Sequence, residues 1–250
     1  MTKSPALSTN RVCRSSPAGL RLVALCASLL VASAAQAALL RSVRGDVQIV
    51  RGGTTLTAVV GQRLQQGDVL QSAAAVGDTP GSQAGGEALV RFDDGARMAL
   101  RNGSAFELQA LKLKGPSATR QKTLRIIKGS LRYISGKATV RQKVSFVTST
   151  ATIGIRGTDI EIAISEEAVQ DNNPGTYLKV NTGAAVLTAS DGAAVDVAPG
   201  EVAYGGEPEL VMRGKGGTRR ASARKVQALG ADVFKAEGLF KASGLDKLMK

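Results

Sequence analysis

Three short runs hold residues that could do chemistry. Asp93 and Asp94 are adjacent carboxylates ahead of Gly95; Asp171, Asn172 and Asn173 cluster side-chain oxygens; and Arg156 sits between Gly154 and Gly157, followed by Thr158 and Asp159. Adjacent carboxylates can split a proton or hold calcium. Asp-Gly, however, supplies the positive backbone φ that a tight hairpin turn needs, so the turn chemistry favours a solvated loop at 93–95. The 171–173 run lacks the regular acidic spacing of calcium loops. Arg156 has two readings. Its planar fork can latch buried carbonyls or Asp159, with Thr158 capping the same turn, or it can bind an anion; the two flanking glycines favour the latch at a bulge or corner.

Composition narrows the chemistry further. The 250 residues contain no histidine, which removes the side chain most used for proton transfer near neutrality and the commonest nitrogen ligand for metals. The two cysteines, Cys13 and Cys26, both lie near the start of the chain. No spacing of carboxylates, or of serine and lysine, singles out a catalytic pair. The expectation is a protein with no catalytic residue, no metal site and no cofactor.

The first 37 residues read as a secretory signal peptide. Lys3, Arg11, Arg14 and Arg21 precede the apolar run Leu22 to Ala35, and Ala35-Gln36-Ala37 has the small-x-small form of a cleavage site. The run is short for a membrane span of about 20 residues. A mature start near Ala38, a periplasmic or secreted location and a mature chain without cysteine are expected; an uncleaved anchor is the alternative.

The formal net charge is +13, but it is unevenly spread. Residues 213–250 carry ten basic and three acidic side chains, whereas residues 38–212 carry 19 and 17. With the leader set aside, the basic character belongs to the tail. Nucleic acid is not expected as a partner, because five Phe and three Tyr, with no Trp, offer little for stacking on bases.

The elements that must position these residues are strands. Val47 and Ile49, then Ile160, Ile162 and Ile164, then Val195 and Val197 alternate with other residues at period two, which places one set on a buried face. Val90 and Phe92 lead into Asp93-Asp94-Gly95, while Met98 and Leu100 lead out, with Arg91, Arg97 and Arg101 on the opposite face: a β-hairpin. Units opening at Gly45, Gly129 and Gly183 look alike, each a strand followed by a glycine turn. The fold class expected is all-β, a sandwich or short solenoid of repeated hairpin-like units, with mobile loops at Val76 to Gly86 and Glu166 to Gly175. Beyond Met212, glycines 214, 216 and 217 read as a hinge. Residues 218–234 then place Val226, Leu229 and Val233 at helical spacing, so the basic tail is expected to be partly helical.

The run from Thr150 to Ile162 resembles the FecR domain, an extracytoplasmic module named after the ferric-citrate signalling regulator. Residues Gly61 to Leu70, Phe92 to Ala96, Gly129 to Leu131, Phe146 to Thr148 and Pro199 to Val202 fit the same family in order, covering about 39–206. The family motif falls on Gly154, Arg156, Gly157, Thr158 and Asp159. The resemblance implies a β-rich, non-catalytic module working through protein contacts. Three parts are expected: a signal peptide at 1–37, a FecR-like β domain at 38–212 and the basic tail at 213–250. The leading expectation is a secreted protein-binding or scaffolding module of the bacterial envelope. Its partner would be an envelope protein, with acidic polymer or anionic lipid as further contacts of the tail. The alternative is a membrane-anchored regulator of transmembrane signalling related to sigma-factor regulators.

Overall fold

The computed structural model describes residues 36–75, 85–112, 116, 120–136, 142–168, 173–207, 209–213 and 216–226. All the regular structure among them is strand: β1 (Gln36–Arg44), β2 (Val47–Arg51), β3 (Thr54–Thr57), β4 (Arg63–Gln65), β5 (Val69–Ser72), β6 (Glu87–Phe92), β7 (Arg97–Leu100), β8 (Ala105–Lys112), β9 (Gln121–Lys128), β10 (Ser130–Ile134), β11 (Lys143–Val147), β12 (Ala151–Ser165), β13 (Gly175–Ala189), β14 (Ala194–Val197), β15 (Val202–Gly205), β16 (Glu209–Arg213), β17 (Gly216–Arg220) and β18 (Ala223–Val226).

The long hairpin β12–β13 is the spine. The first half of β12 pairs with β11 and its second half with β10, so two runs of strands leave the same edge at different heights. One continues through β9, β8, β5, β2 and β3; the other through β7, β6, β1 and β4. Along its other edge β12 pairs with β13, which in turn carries β15 beside its first half and β14 beside its second. The pairing of β9 with β11 is parallel, which makes this a mixed sheet. It is one curled sheet, whose two leaves are continuous through the spine and close over one core.

That closure is visible in the aromatics. Tyr133 of β10 meets Phe146 of β11 edge-on at 5.1 Å between centroids and Phe92 of β6 at 6.2 Å, joining the leaves across the interior. All three rings are fully buried, each contributing roughly 2–3 kcal/mol by loss of apolar surface.

The period-two readings hold in part: Ile164 and Val195 are only partly buried, and Ala163, between two of the isoleucines, is buried as well. Val47, Ile49, Ile160, Ile162 and Val197 are buried, and the hairpin β6–β7 buries Val90, Phe92, Met98 and Leu100. Residues 45–53 and 183–192 do form hairpins, β2–β3 and β13–β14. The third similar unit differs: β10, which follows Gly129, pairs with β7 and β12 rather than with a sequence neighbour, because the spine captures it. Two polar positions of the alternation also turn inward. Glu161 and Arg101 are 6% and 7% exposed.

The first half of the expected helix at 218–234 is not helical. Residues 216–220 form β17, a hairpin partner of β16, so the expected glycine hinge is part of a strand pair. Residues 223–226 form β18, which pairs with β15. Arg224 lies over the Tyr204 ring at 4.4 Å and Lys225 pairs with Glu201 at 2.7 Å, so edge pairing and side-chain contacts together outweigh the weak helical pattern. The remainder of that stretch, residues 76–84 and 169–172 of the two expected loops, and the leader apart from Gln36 and Ala37, lie outside the described residues.

Candidate binding cleft at the strand corner

The Thr150–Ile162 run is the place where β12 bends. The β12–β13 register shifts between Arg156 and Asp159, where the spine passes from one leaf to the other. Gly157 has φ +62° and Gly183, across from it, +86°. A Cβ on Gly183 would stand 2.4 Å from the Gly157 carbonyl oxygen, so the two backbones approach as closely as only glycine permits. The corner expected from the glycine spacing is therefore present.

The side chains divide the work differently from expectation. Arg156 is exposed and makes no side-chain hydrogen bond or ion pair among the described residues. The latch on Asp159 is Arg132 of β10, whose Nε and Nη2 donate to the two carboxylate oxygens at 3.0 and 2.7 Å. Asn181 of β13 donates to Asp159 at 3.3 Å and to the buried Glu161 at 2.9 Å. Arg132 reaches Asp159 because β10 is in register with it, Ile134 lying opposite Asp159; Arg156 points out of that face. Thr158 is buried, and its backbone N–H is held by the Ser135 hydroxyl at 3.1 Å. At the start of the run, Thr148 and Thr150 both bond the Thr176 hydroxyl, at 2.7 and 2.8 Å, tying the two strands.

The other family segments also lock turns. Asp68 is 1% exposed, accepts two 2.7 Å bonds from the Arg51 fork and a third from the Gln65 amide, and holds the Arg51 guanidinium above its usual pKa. Glu201 caps the 198–201 turn through the Ala198 N–H at 2.8 Å, and its bonds to Lys225 and Ala198 draw its carboxyl below the usual range.

The hairpin turn at Asp93-Asp94-Gly95 forms as expected, with Gly95 at φ +83°, but only Asp93 is solvated. Asp94 is 5% exposed and faces Lys122 of β9, whose Nζ lies 2.7 Å from Oδ2 and is fully enclosed. The ion approaches outside good hydrogen-bond geometry; the amine's donated bond goes to the Tyr133 hydroxyl at 3.0 Å, with the Phe92 ring centroid 3.9 Å away. Burial pushes the Lys122 pKa down to about 8, against the raising effect of Asp94, and burial pushes the Tyr133 hydroxyl well up. A depressed lysine is a nucleophile when substrate can reach it. This one is sealed, so it belongs to the core.

Beside the corner lies a cleft of about 890 Å³. Its apolar walls include Val144, Ile155, Ala185 and Val197, with Val186 41% exposed at its side. Lys143, Arg156 and Lys225 bring positive charge to it, and Asp196 one negative group. Gln142 lines it too. This glutamine is only 7% exposed, yet neither its amide nitrogen nor its carbonyl oxygen has a hydrogen-bond partner among the described residues. Leaving both buried groups unbonded costs about 1–3 kcal/mol each, which a ligand offering a donor and an acceptor would recover. Apolar walls with a few convergent polar groups are the usual make-up of a ligand-binding concavity. Among the described residues, no three of histidine, cysteine, aspartate and glutamate converge as a metal site.

Of the sequence-stated motif residues, the structure gathers Gly154 and Arg156 at the cleft and turns Thr158 and Asp159 into the packed corner. Sequence reasoning passed over Gln142, Arg132 and Lys122. Lys122 carried a legible sign, since it stands two and four residues before the buried Leu124 and Ile126 on one strand face.

Comparison with known proteins comes next to this geometry. A family model described as FecR protein matches residues 78–203, half of the chain, including β6 to β14 and the whole corner. Two crystal structures of a candidate anti-sigma factor from Parabacteroides distasonis ATCC 8503 align distantly. Each gives 12% identity and a TM-score of 0.40, covering 62% and 68% of this chain. The chain spans 58% and 64% of the length of those two structures. No curated protein matches the sequence.

Proposed function

The chain belongs to the FecR protein family, and on that premise we propose that it is a non-catalytic, extracytoplasmic binding module of the bacterial envelope that grips a protein partner through the corner cleft. The observation that carries this reading is the meeting, in one cleft, of an apolar lining that includes the exposed Val186 with a buried Gln142 amide that has no hydrogen-bond partner among the described residues. A glutamine amide offers one donor edge and one acceptor, as a peptide backbone does, so an extended segment of a partner satisfies it while its side chains cover the apolar wall. The leader-like pattern at 1–37 supports export, and the basic residues of 213–250 supply further contact with an acidic polymer or an anionic lipid surface.

The test is capture from an envelope extract by the full chain, compared with Val186→Glu and Arg156→Glu. Both positions are exposed, so the variants are expected to fold, which circular dichroism checks. A protein retained by the parent and lost from both variants is expected. Equal retention by all three would overturn the cleft as the contact.

Family membership also favours a second reading, regulation of transmembrane signalling from an anchored form. Fractionation separates the two: a soluble mature protein starting near Ala38 supports the secreted module, and an unprocessed chain in the membrane supports the regulator.

A further inference from the structure

A second site stands on the outer face of the other leaf. Arg91 of β6 is directly opposite Arg97 of β7, which places two guanidinium groups side by side in cross-strand register. Beside them β1 breaks its pairing with β6. Leu40 faces Val90 and Ser42 faces Leu89, so Arg41 is the extra residue of a β-bulge. Bulges re-aim a side chain. Here the re-aimed chain is a third arginine, and Arg41, Leu89, Arg91, Gly95 and Arg97 together line a cleft of about 370 Å³ whose floor, Leu89, is 4% exposed.

No carboxylate lines this cleft, and three acids near it in sequence or register are engaged elsewhere. Asp93 sits 3.9 Å from Arg63, Asp94 turns inward to Lys122, and Asp159 takes the fork of Arg132. Arg41 and Arg91 are exposed and make no side-chain hydrogen bond or ion pair among the described residues. Three guanidinium groups around one concavity suit a tetrahedral oxyanion, whose several oxygens can each accept from a planar fork.

We propose that Arg41, Arg91 and Arg97 form a binding site for a phosphate group, either free or carried on a small molecule or lipid. The site is distinct from the corner cleft, and its test does not depend on the protein partner.

Calorimetric titration of the full chain with inorganic phosphate, at constant ionic strength with chloride as the balancing ion, should saturate at one site. Arg41→Gln and Arg91→Gln should each weaken binding about tenfold while leaving the circular dichroism unchanged. Phosphate should also raise the melting temperature of the parent more than that of either variant. A second arm uses phosphatidylcholine vesicles with and without phosphatidic acid. Recruitment by phosphatidic acid that is lost in Arg91→Gln supports a lipid headgroup as the source; saturation by free phosphate without recruitment supports a soluble phosphate compound. Absence of both effects, or effects unchanged in the variants, would overturn the site.

Discussion

Lys122 shows how much a single residue sets here. An unfolded chain holds its proton up to about pH 10.5, whereas the folded protein holds it only to about 8, so unfolding takes up a proton between those values. Stability therefore rises with pH across that window, by about 3 kcal/mol at most. Above about pH 10 the sign reverses. Tyr133 in the fold keeps its proton well past its ordinary value, and Tyr177 up to about 12, while their unfolded counterparts ionise. Denaturant melts from pH 7 to 11 should show a maximum near pH 10; Tyr133→Phe should keep the rise and soften the fall. A stability that is flat between pH 8 and 10 would show Lys122 to be solvated. The pairing with Asp94 was hidden from the sequence, because Asp-Gly chemistry specifies the turn but not which of two adjacent carboxylates points inward.

The corner of β12 and β13 is where sequence patterning translated most directly into an element. Two glycines bracketing a polar run implied close backbone approach, and the spine bends there with Gly183 against Gly157. Gly183→Ala should destabilise by roughly 2 kcal/mol through both the positive φ and the clash, read as a lowered melting midpoint. Gly154→Ala, with open space around the added carbon, should change little. Ile162→Asp, which buries an unpaired charge on the same strand, should cost several kcal/mol, and an unchanged midpoint would mean that the strand faces the other way. What the alternation pattern could not carry was pairing between distant strands. The identity of Arg132 as partner of Asp159 depends on β10 docking against the spine, a long-range register that no local window contains. The described start of the tail departs from expectation for the same reason: at 223–226 a weak helical spacing yields to the unpaired edge of β15, which recruits β18.

At the scale of the whole molecule, the all-β class was legible because short alternating runs and glycine turns recur along the chain, while the continuity of one curled sheet was not, since it arises from a 15-residue strand serving two leaves. The resulting body presents two unlike concavities. One is mainly apolar with a cationic rim at the corner, the other is ringed by arginines on the opposite leaf. A molecule built in this way offers contact surfaces, and the corner cleft is the larger. The most direct measurement of its role is photo-crosslinking in intact cells from a benzoyl-phenylalanine placed at Val186 at the side of the cleft, with Ile127, exposed on β9, as the reference position. A discrete protein adduct from position 186, absent from 127 and diminished by Arg156→Glu, is the expected result. The same adduct from both positions, or none from 186, would contradict the account.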